Sequence, residues 1–154
     1  MSLPPFQRFL DTHRDEVHRF LVGSVGPDEA EDCFQETFIA ALRAYPRLRP
    51  DSDLRAWVLT IARRKAVDAH RARGRRAVPV GDAPEGPSHA APEPPDEAVW
   101  APVRALPAKQ RAAVVLRVVC DMGYADVARV MECSEEAARQ SVHEGLRKLR
   151  GVMA

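Results

Sequence analysis

LRAWVLTIARRKAVDAHRARGRR, residues 54–76, reads as one helix that changes character half-way along. Leu54, Trp57, Val58 and Ile61 recur at helical spacing, and an Ala- and Arg-rich run follows as far as Arg76. Asp51, Ser52 or Asp53 is placed to cap its N-terminus by accepting a backbone N–H. Between Arg55 and Arg76 stand eight basic residues (Arg55, Arg63, Arg64, Lys65, Arg71, Arg73, Arg75 and Arg76) and one acid, Asp68. Such density draws phosphates by Coulomb attraction and counterion release. At 3.6 residues per turn, Arg55, Arg63 and Arg73 point away from the Trp57–Ile61 stripe. Arg64, Asp68 and Arg71 prolong that stripe, so the buried face is expected to turn polar in the second half. The competing interpretation is a solvated helix whose arginines balance neighbouring acids.

Upstream, two more helical patterns lead into this one. Phe6, Phe9, Leu10, His13, Val17, Phe20 and Leu21 gather on one face, and Gly23 with Gly26-Pro27 is expected to end that helix. Ala30, Cys33, Phe34, Phe38, Ala41 and Tyr45 form a second stripe from about Asp28 until Pro46 interrupts it. The turn-rich loop 46–53 then leads into Leu54. No segment alternates with β-branched residues, so the class is all-α.

Downstream, the composition shifts. Residues 78–101 carry five acids, no basic side chain and six of the 13 prolines. A stretch so rich in Pro cannot close a helical ladder and reads as an extended acidic linker. On either side the balance is positive: 14 basic and 11 acidic residues in 1–77, nine and six in 102–154. The organisation is therefore two small basic helical domains, 1–77 and 102–154, flanking a spacer. The chain-wide net charge of +1 conceals this segregation.

The second domain has a helix-turn-helix outline. Pro107 opens a helix from Ala108 to Val119, and Asp121-Met-Gly123 breaks it. A short helix, Tyr124 to Met131, turns inward Val127, Ala128 and Val130. After Glu132-Cys133, Ser134 is a good N-cap for a last helix to about Arg150, with Glu135 and Glu136 at its positive end. That helix buries Ala138, Val142, Gly145, Leu146 and Leu149 and leaves Arg139, Gln140, His143, Arg147 and Lys148 available. The second helix of such a pair is shaped to enter a major groove; a plain helical hairpin is the alternative.

Length and composition remove other classes. The 154 residues hold one domain or two small ones, and 45% apolar residues suffice for a modest core. Three cysteines without a CxxC argue against a disulfide framework or a Cys-based zinc site and suit a reducing compartment. No apolar run approaches the roughly 20 residues of a membrane span, and the N-terminus does not resemble a secretory signal. The expectation is a cytoplasmic protein without membrane insertion.

Three motifs resemble those of the extracytoplasmic-function (ECF) sigma factors of the sigma-70 family. Asp28-Glu-Ala-Glu-Asp-Cys-Phe-Gln-Glu-Thr-Phe38 resembles their core-binding motif. Residues 54–71 resemble their promoter −10 helix. Leu106-Pro-Ala-Lys-Gln-Arg111, Tyr124-Ala-Asp-Val-Ala128 and Val142-His-Glu-Gly-Leu-Arg-Lys-Leu-Arg150 are similar to their −35-binding domain. Their order specifies the family more sharply than any one motif.

The resemblance implies sigma region 2 over 1–77 and region 4 over 102–154. It implies an alternative sigma factor that binds core RNA polymerase, through the β′ clamp and the β flap, and directs promoter recognition and melting. Asp32, Gln35, Glu36 and Phe38 would dock on the polymerase clamp. Arg47, Arg49, Asp53, Arg55, Arg63, Arg64, Lys65 and Arg71 would hold the −10 element, its loop 47–53 capturing a flipped base. Ser134, Arg139, Gln140, His143 and Arg147 would contact the −35 element. The linker would thread toward the RNA exit path, as a nucleic-acid mimic or as a passive tether. An anti-sigma protein is an expected partner.

Departures from the family pattern are local. The family usually has Gly in the helix-turn-helix turn, where this chain has Glu132-Cys133; a left-handed backbone would cost a non-glycine residue about 1 kcal/mol there, so a different turn is expected. Arg64 stands where Asn is frequent. Glu132, Glu135, Glu136 and Glu144 would weaken −35 affinity by repelling phosphates.

Other chemistry finds little support. Asp28, Asp32 and Glu36 recur every four residues, but no histidine pair accompanies them, so no metal and no cofactor is expected. His13, His18, His70, His89 and His143 are scattered and form no acid–base constellation, so no enzyme is expected. Trp57 continues an apolar stripe and is read as core rather than as a base-stacking platform. Of the cysteines, Cys33 and Cys120 sit among apolar neighbours, while Cys133, in a turn, is the redox-sensor candidate. A stand-alone helix-turn-helix regulator remains the alternative, although it would leave Asp32, Gln35 and Glu36 without a task.

Overall fold

The computed structural model describes residues 2–76 and 97–153; most of the expected linker lies outside them. The described residues form seven α-helices and no strand. They are α1 Phe6–Val25, α2 Pro27–Ala44, α3 Leu54–Arg76, α4 Glu97–Arg104, α5 Ala108–Val114, α6 Tyr124–Met131 and α7 Glu135–Met153. A 3₁₀ turn, Tyr45–Arg47, closes α2, and a π-helical turn, Val115–Val119, prolongs α5. The all-α expectation holds.

Helices α1, α2 and α3 pack mutually into the N-terminal module. Phe9, Val17, Phe20 and Leu21 of α1 meet Ala30, Cys33, Phe38 and Ala41 of α2 and Val58, Leu59, Ala62 and Ala66 of α3, all buried. Burying each such Leu or Phe side chain is worth about 1.5–3 kcal/mol relative to exposure, so this cluster holds the three helices in place. At one end Phe6, Phe9, Tyr45 and Trp57 form an aromatic group with centroid separations of 5.3–6.3 Å. Trp57 thus serves the core, as its stripe implied. Asp53 is the residue that caps α3: its Oδ1 accepts the Ala56 N–H at 3.1 Å.

The buried line of α3 differs from expectation. Its buried positions are Ala56, Val58, Leu59, Ala62 and Ala66; of the expected stripe Val58 is buried and Trp57 and Ile61 are partly so, while Arg64, Asp68 and Arg71 are exposed. Alanines mark the close approach of helices, and a stripe judged by bulky residues alone is rotated by about one position.

Gly23 does not end α1. It lies buried inside the helix, where an added Cβ would sit 2.9 Å from the Trp100 ring and 3.1 Å from Val115. Gly26 is the stop: its φ of 88° and ψ of 163° are essentially closed to other residues. Pro27 then starts α2, with Asp28 and Glu29 at its positive end.

The C-terminal module stacks α4 to α7. Helix α4 begins at Glu97, inside the span read as linker, because Trp100 and Val103 find an apolar seat there; Val103 is buried and Trp100 partly so. Val114, Val115, Leu116, Met122, Val127, Val130, Ala138 and Val142 fill the interior. The two modules are not held apart. One contiguous buried cluster joins them, with α3 packed on α6 and α1 packed on α4 and on the π turn.

Candidate nucleic-acid interface

The basic side of α3 faces the C-terminal module. Arg55 Nε donates to Glu16 at 2.7 Å, and its terminal nitrogen donates to the Cys120 carbonyl. Arg63 Nε donates to the Val130 carbonyl at 2.9 Å, and its terminal nitrogen reaches Glu132 at 3.0 Å. Arg64 pairs with the other Glu132 oxygen. From the opposite direction Arg129 donates to Asp53 at 3.1 Å. Cys120 and Val130 lie at the carboxyl ends of their helical segments, where carbonyls carry the negative end of the dipole. Four of the residues expected at the −10 element (Asp53, Arg55, Arg63 and Arg64) are thus engaged across the modules. Arg47, Arg49 and Arg71 are exposed, and Lys65 is half-buried against α2. Arg73 pairs with Glu29 inside the first module.

Coverage is partial. The Arg63 side chain keeps 19% of its accessibility and Arg64 keeps 59%. A cleft of about 490 Å³ opens beside them between α3, α5 and α7, bordered by Arg63, Glu132, Gln140 and Glu144 among others.

Helix α2 presents a different surface. Asp32, Gln35 and Glu36 are exposed on it. Phe38 is 8% exposed and belongs to the core, its ring 4.8 Å from Phe34. The apolar groups on the outside are instead Ile39 and Leu42, 50% and 55% exposed. Sequence reasoning missed both, although each stands off the buried stripe of α2. The surface combines carboxylates, an amide and two aliphatic side chains.

In the C-terminal module, α6 and α7 form the helix-turn-helix. Ser134 caps α7 by accepting the Ala137 N–H at 3.0 Å. Arg139, Gln140, His143 and Arg147 are exposed along α7. Tyr124 organises part of this face. Its ring has the Arg117 guanidinium at 4.6 Å, the Arg139 guanidinium at 4.9 Å and the His143 ring stacked at 6.5 Å. Arg139 also pairs with Glu135, and Gln140 with Glu144, one turn apart.

The turn between α6 and α7 keeps the left-handed backbone that its sequence seemed to discourage. Glu132 has φ 56° and ψ 44°, and the Cys133 N–H closes the turn on the Ala128 carbonyl at 3.1 Å. A residue with a Cβ pays about 1 kcal/mol for this conformation relative to glycine.

Burial separates the cysteines. Burial pushes the Cys33 thiol up to about 11, with nearby Glu36 and Glu29 adding to the shift, and pushes Cys120 to about 12. Cys133 is exposed. Burial also lowers His70, whose Nε2 lies 2.9 Å from the Ser24 carbonyl, and Arg111 and Arg73 lower it further. No cluster of His, Cys, Asp and Glu suited to a metal ion occurs among the described residues. None of their helices is long and apolar enough to cross a membrane.

Known proteins align with both modules. The family description Sigma-70 region 2 matches residues 9–76, and Sigma-70, region 4 matches residues 97–149. The ECF RNA polymerase sigma factor SigD of Mycobacterium tuberculosis is 34% identical over 155 residues, spanning 92% of this chain and 73% of its own length. The chain belongs to the ECF sigma factor family. ECF sigma factor SigX of Bacillus subtilis is 27% identical, with 96% of this chain and 83% of SigX aligned. The fold agrees as well. The sigma factor RpoE of Bartonella quintana, solved with the anti-sigma factor NepR, superposes with a TM-score of 0.77 at 23% identity over 96% of both chains. CnrH, solved with the cytosolic domain of CnrY, superposes with a TM-score of 0.72 at 21% identity over 96% of this chain and 86% of its own. As a member of the family, this sigma factor is an alternative sigma factor that directs transcription initiation. Its matched region 4 begins where α4 begins, at Glu97.

Proposed function

We propose that this sigma factor binds core RNA polymerase with the outer face of α2 and promoter DNA with α3 and α7, and that it carries out no covalent chemistry of its own. Asp32, Gln35 and Glu36 offer charge-assisted and amide hydrogen bonds to a basic partner surface on the β′ clamp. Ile39 and Leu42 supply apolar contact beside them, with Phe38 supporting the face from within. Region 4 additionally meets the β flap. Arg47, Arg49, Asp53, Arg55, Arg63, Arg64, Lys65 and Arg71 track the −10 element. Arg139, Gln140, His143 and Arg147, with α7 capped by Ser134, enter the −35 major groove.

The single observation that carries this assignment is the pairing on one chain of a carboxylate-rich exposed helix face with two separate cationic helices. A melted strand needs backbone-tracking cations and room for an unstacked base, and binding it draws the duplex open without ATP. Region 2 is assigned to 1–77; the spacer expected over 78–101 is shortened to 78–96, and region 4 is assigned to 97–154 with α4 as its entry helix. Work on promoter DNA with bacterial polymerase supports a cytoplasmic location. An anti-sigma protein, of the kind solved with RpoE, is its expected regulator.

Reconstitution with core polymerase, followed by sequencing of transcript start sites, tests the assignment. The expected result is a single promoter class whose use is lost when Asp32, Gln35 and Glu36 are replaced by Ala. Failure to bind core polymerase at micromolar concentration overturns it.

A further inference from the structure

Glu132 occupies a backbone conformation that favours glycine, and its carboxylate does nothing for its own module. Both oxygens turn to α3: one lies 3.0 Å from Arg63 and the other pairs with Arg64. Two guanidiniums from successive residues converging on one carboxylate form the kind of fork that receives a phosphate. Arg63 is fixed further by the Val130 carbonyl, two residues before the strained one. Arg129 on Asp53 and Arg55 on the Cys120 carbonyl flank the same seam.

We propose that Glu132 is an intramolecular substitute for promoter phosphate, occupying Arg63 and Arg64 in the free chain and holding region 4 over the −10 helix until DNA takes its place. This rests on the assignment of Arg63 and Arg64 to DNA made above. The chemistry fits a reversible latch. Partly exposed ion pairs are individually weak and screened by salt. The Glu132 latch therefore adds a small margin to a closed form that the shared apolar cluster also supports, a margin that a polyanion can take over. A glycine would relax the turn but surrender the carboxylate. The competing ligand is single-stranded or melted DNA, recognised through its phosphates.

Two variants of the full chain separate charge from strain. Glu132→Gln keeps the left-handed residue and removes the charge; Glu132→Gly removes both. Small-angle scattering reads closure, and fluorescence anisotropy with a labelled mixed-sequence single strand of about 20 nucleotides reads access to α3. Both variants are expected to scatter as a more extended particle and to bind the strand about tenfold more tightly, because apparent affinity is set by the fraction of open chain. Glu132→Gly is expected to melt at or above the temperature of Glu132→Gln, which confirms that the turn stays folded. Wild-type scattering and wild-type affinity in both variants would overturn the latch, as would a gain confined to the glycine variant. Expansion without tighter binding would overturn the competition with DNA. Adding Arg63→Ala and Arg64→Ala to Glu132→Gln should abolish the gain in affinity while leaving the particle extended. If instead those substitutions leave strand binding untouched, the DNA assignment of α3 fails, and scattering still reports the latch independently.

Discussion

Helices α3 and α7 each line up arginines, yet one set is largely taken and the other is free of the opposite module. On α3, Arg55 and Arg63 end on carbonyls of the C-terminal module, and Arg63 and Arg64 share one of its carboxylates. On α7, Arg139 stacks on Tyr124 and reaches a glutamate of its own helix, while Arg147 lies exposed. The contrast teaches that cation density along a helix does not by itself make a binding surface. Helix ends of the neighbouring module, with their negative carbonyls, decide whether it is on offer.

The largest expected effect tests whether the two helices depend on one core. Leu59 is fully buried on the reverse of α3. Leu59→Ala should cost about 2–5 kcal/mol of stability by chemical denaturation. Because the buried cluster is continuous between modules, hydrogen exchange at Val115 and Leu116 should quicken too; unchanged protection there would show that the modules are held independently.

Next in size is the loss of a base or phosphate contact on the open helix. Arg139→Ala should weaken binding to −35 duplex by about 1–3 kcal/mol in a gel-shift titration. It should leave the scattering profile of the free chain unchanged, since Arg139 contacts Tyr124 and Glu135 within its own module.

Acidification sharpens the contrast from the covered side. His70 is packed neutral among the Ser24 carbonyl, Arg111, Arg73 and Glu29, and burial holds its imidazole below the ordinary value. A group with a lowered folded pKa binds its proton more readily once released. The stability it permits is therefore complete above about pH 6.5 and declines as pH falls below that value. His13 is lowered for the same principal reason and acts in the same direction. Urea midpoints should fall between pH 8 and pH 5.5, and His70→Gln should flatten the profile; a midpoint that rises on acidification contradicts the assignment.

Two smaller effects remain. Tyr124→Ala removes two cation–π contacts worth about 0.5–1 kcal/mol each at exposed sites, which should appear as a slightly lower melting temperature. At pH 7.5 iodoacetamide should modify Cys133 rapidly and Cys33 and Cys120 only on unfolding, as peptide mapping can establish.

Much of this architecture was readable from residue order. Six of the seven helices obey local signals: the stripes of α1 and α2, Pro27 and Pro107 as starters, Asp53 and Ser134 as caps. The failures share a cause. The buried line of α3 was displaced because Ala62 and Ala66 carry no hydrophobic bulk, and their role is seen only against α1 and α2. Gly23 read as a stop because nothing nearby in sequence announces Trp100. Helix α4 was hidden by the prolines around it, including Pro102 within the helix. The residue types of the site were legible, since arginines and carboxylates declare their charge. Their pairings were not: Glu132 meets Arg63 and Arg64 from the far side of the spacer, and no local periodicity encodes that meeting. The departure from glycine at Glu132 did flag the position, although the backbone there proved to be the left-handed one.

The seat of Trp100 against Gly23 has a practical corollary. The chain contains only two indoles, and Trp57 sits within the aromatic group of the first module. With Trp57→Phe, the remaining emission would come from a ring lodged between the modules, and its wavelength would shift to the red whenever water reached that seat. The protein thus carries its own optical gauge of domain separation, usable during a binding titration without attaching any dye.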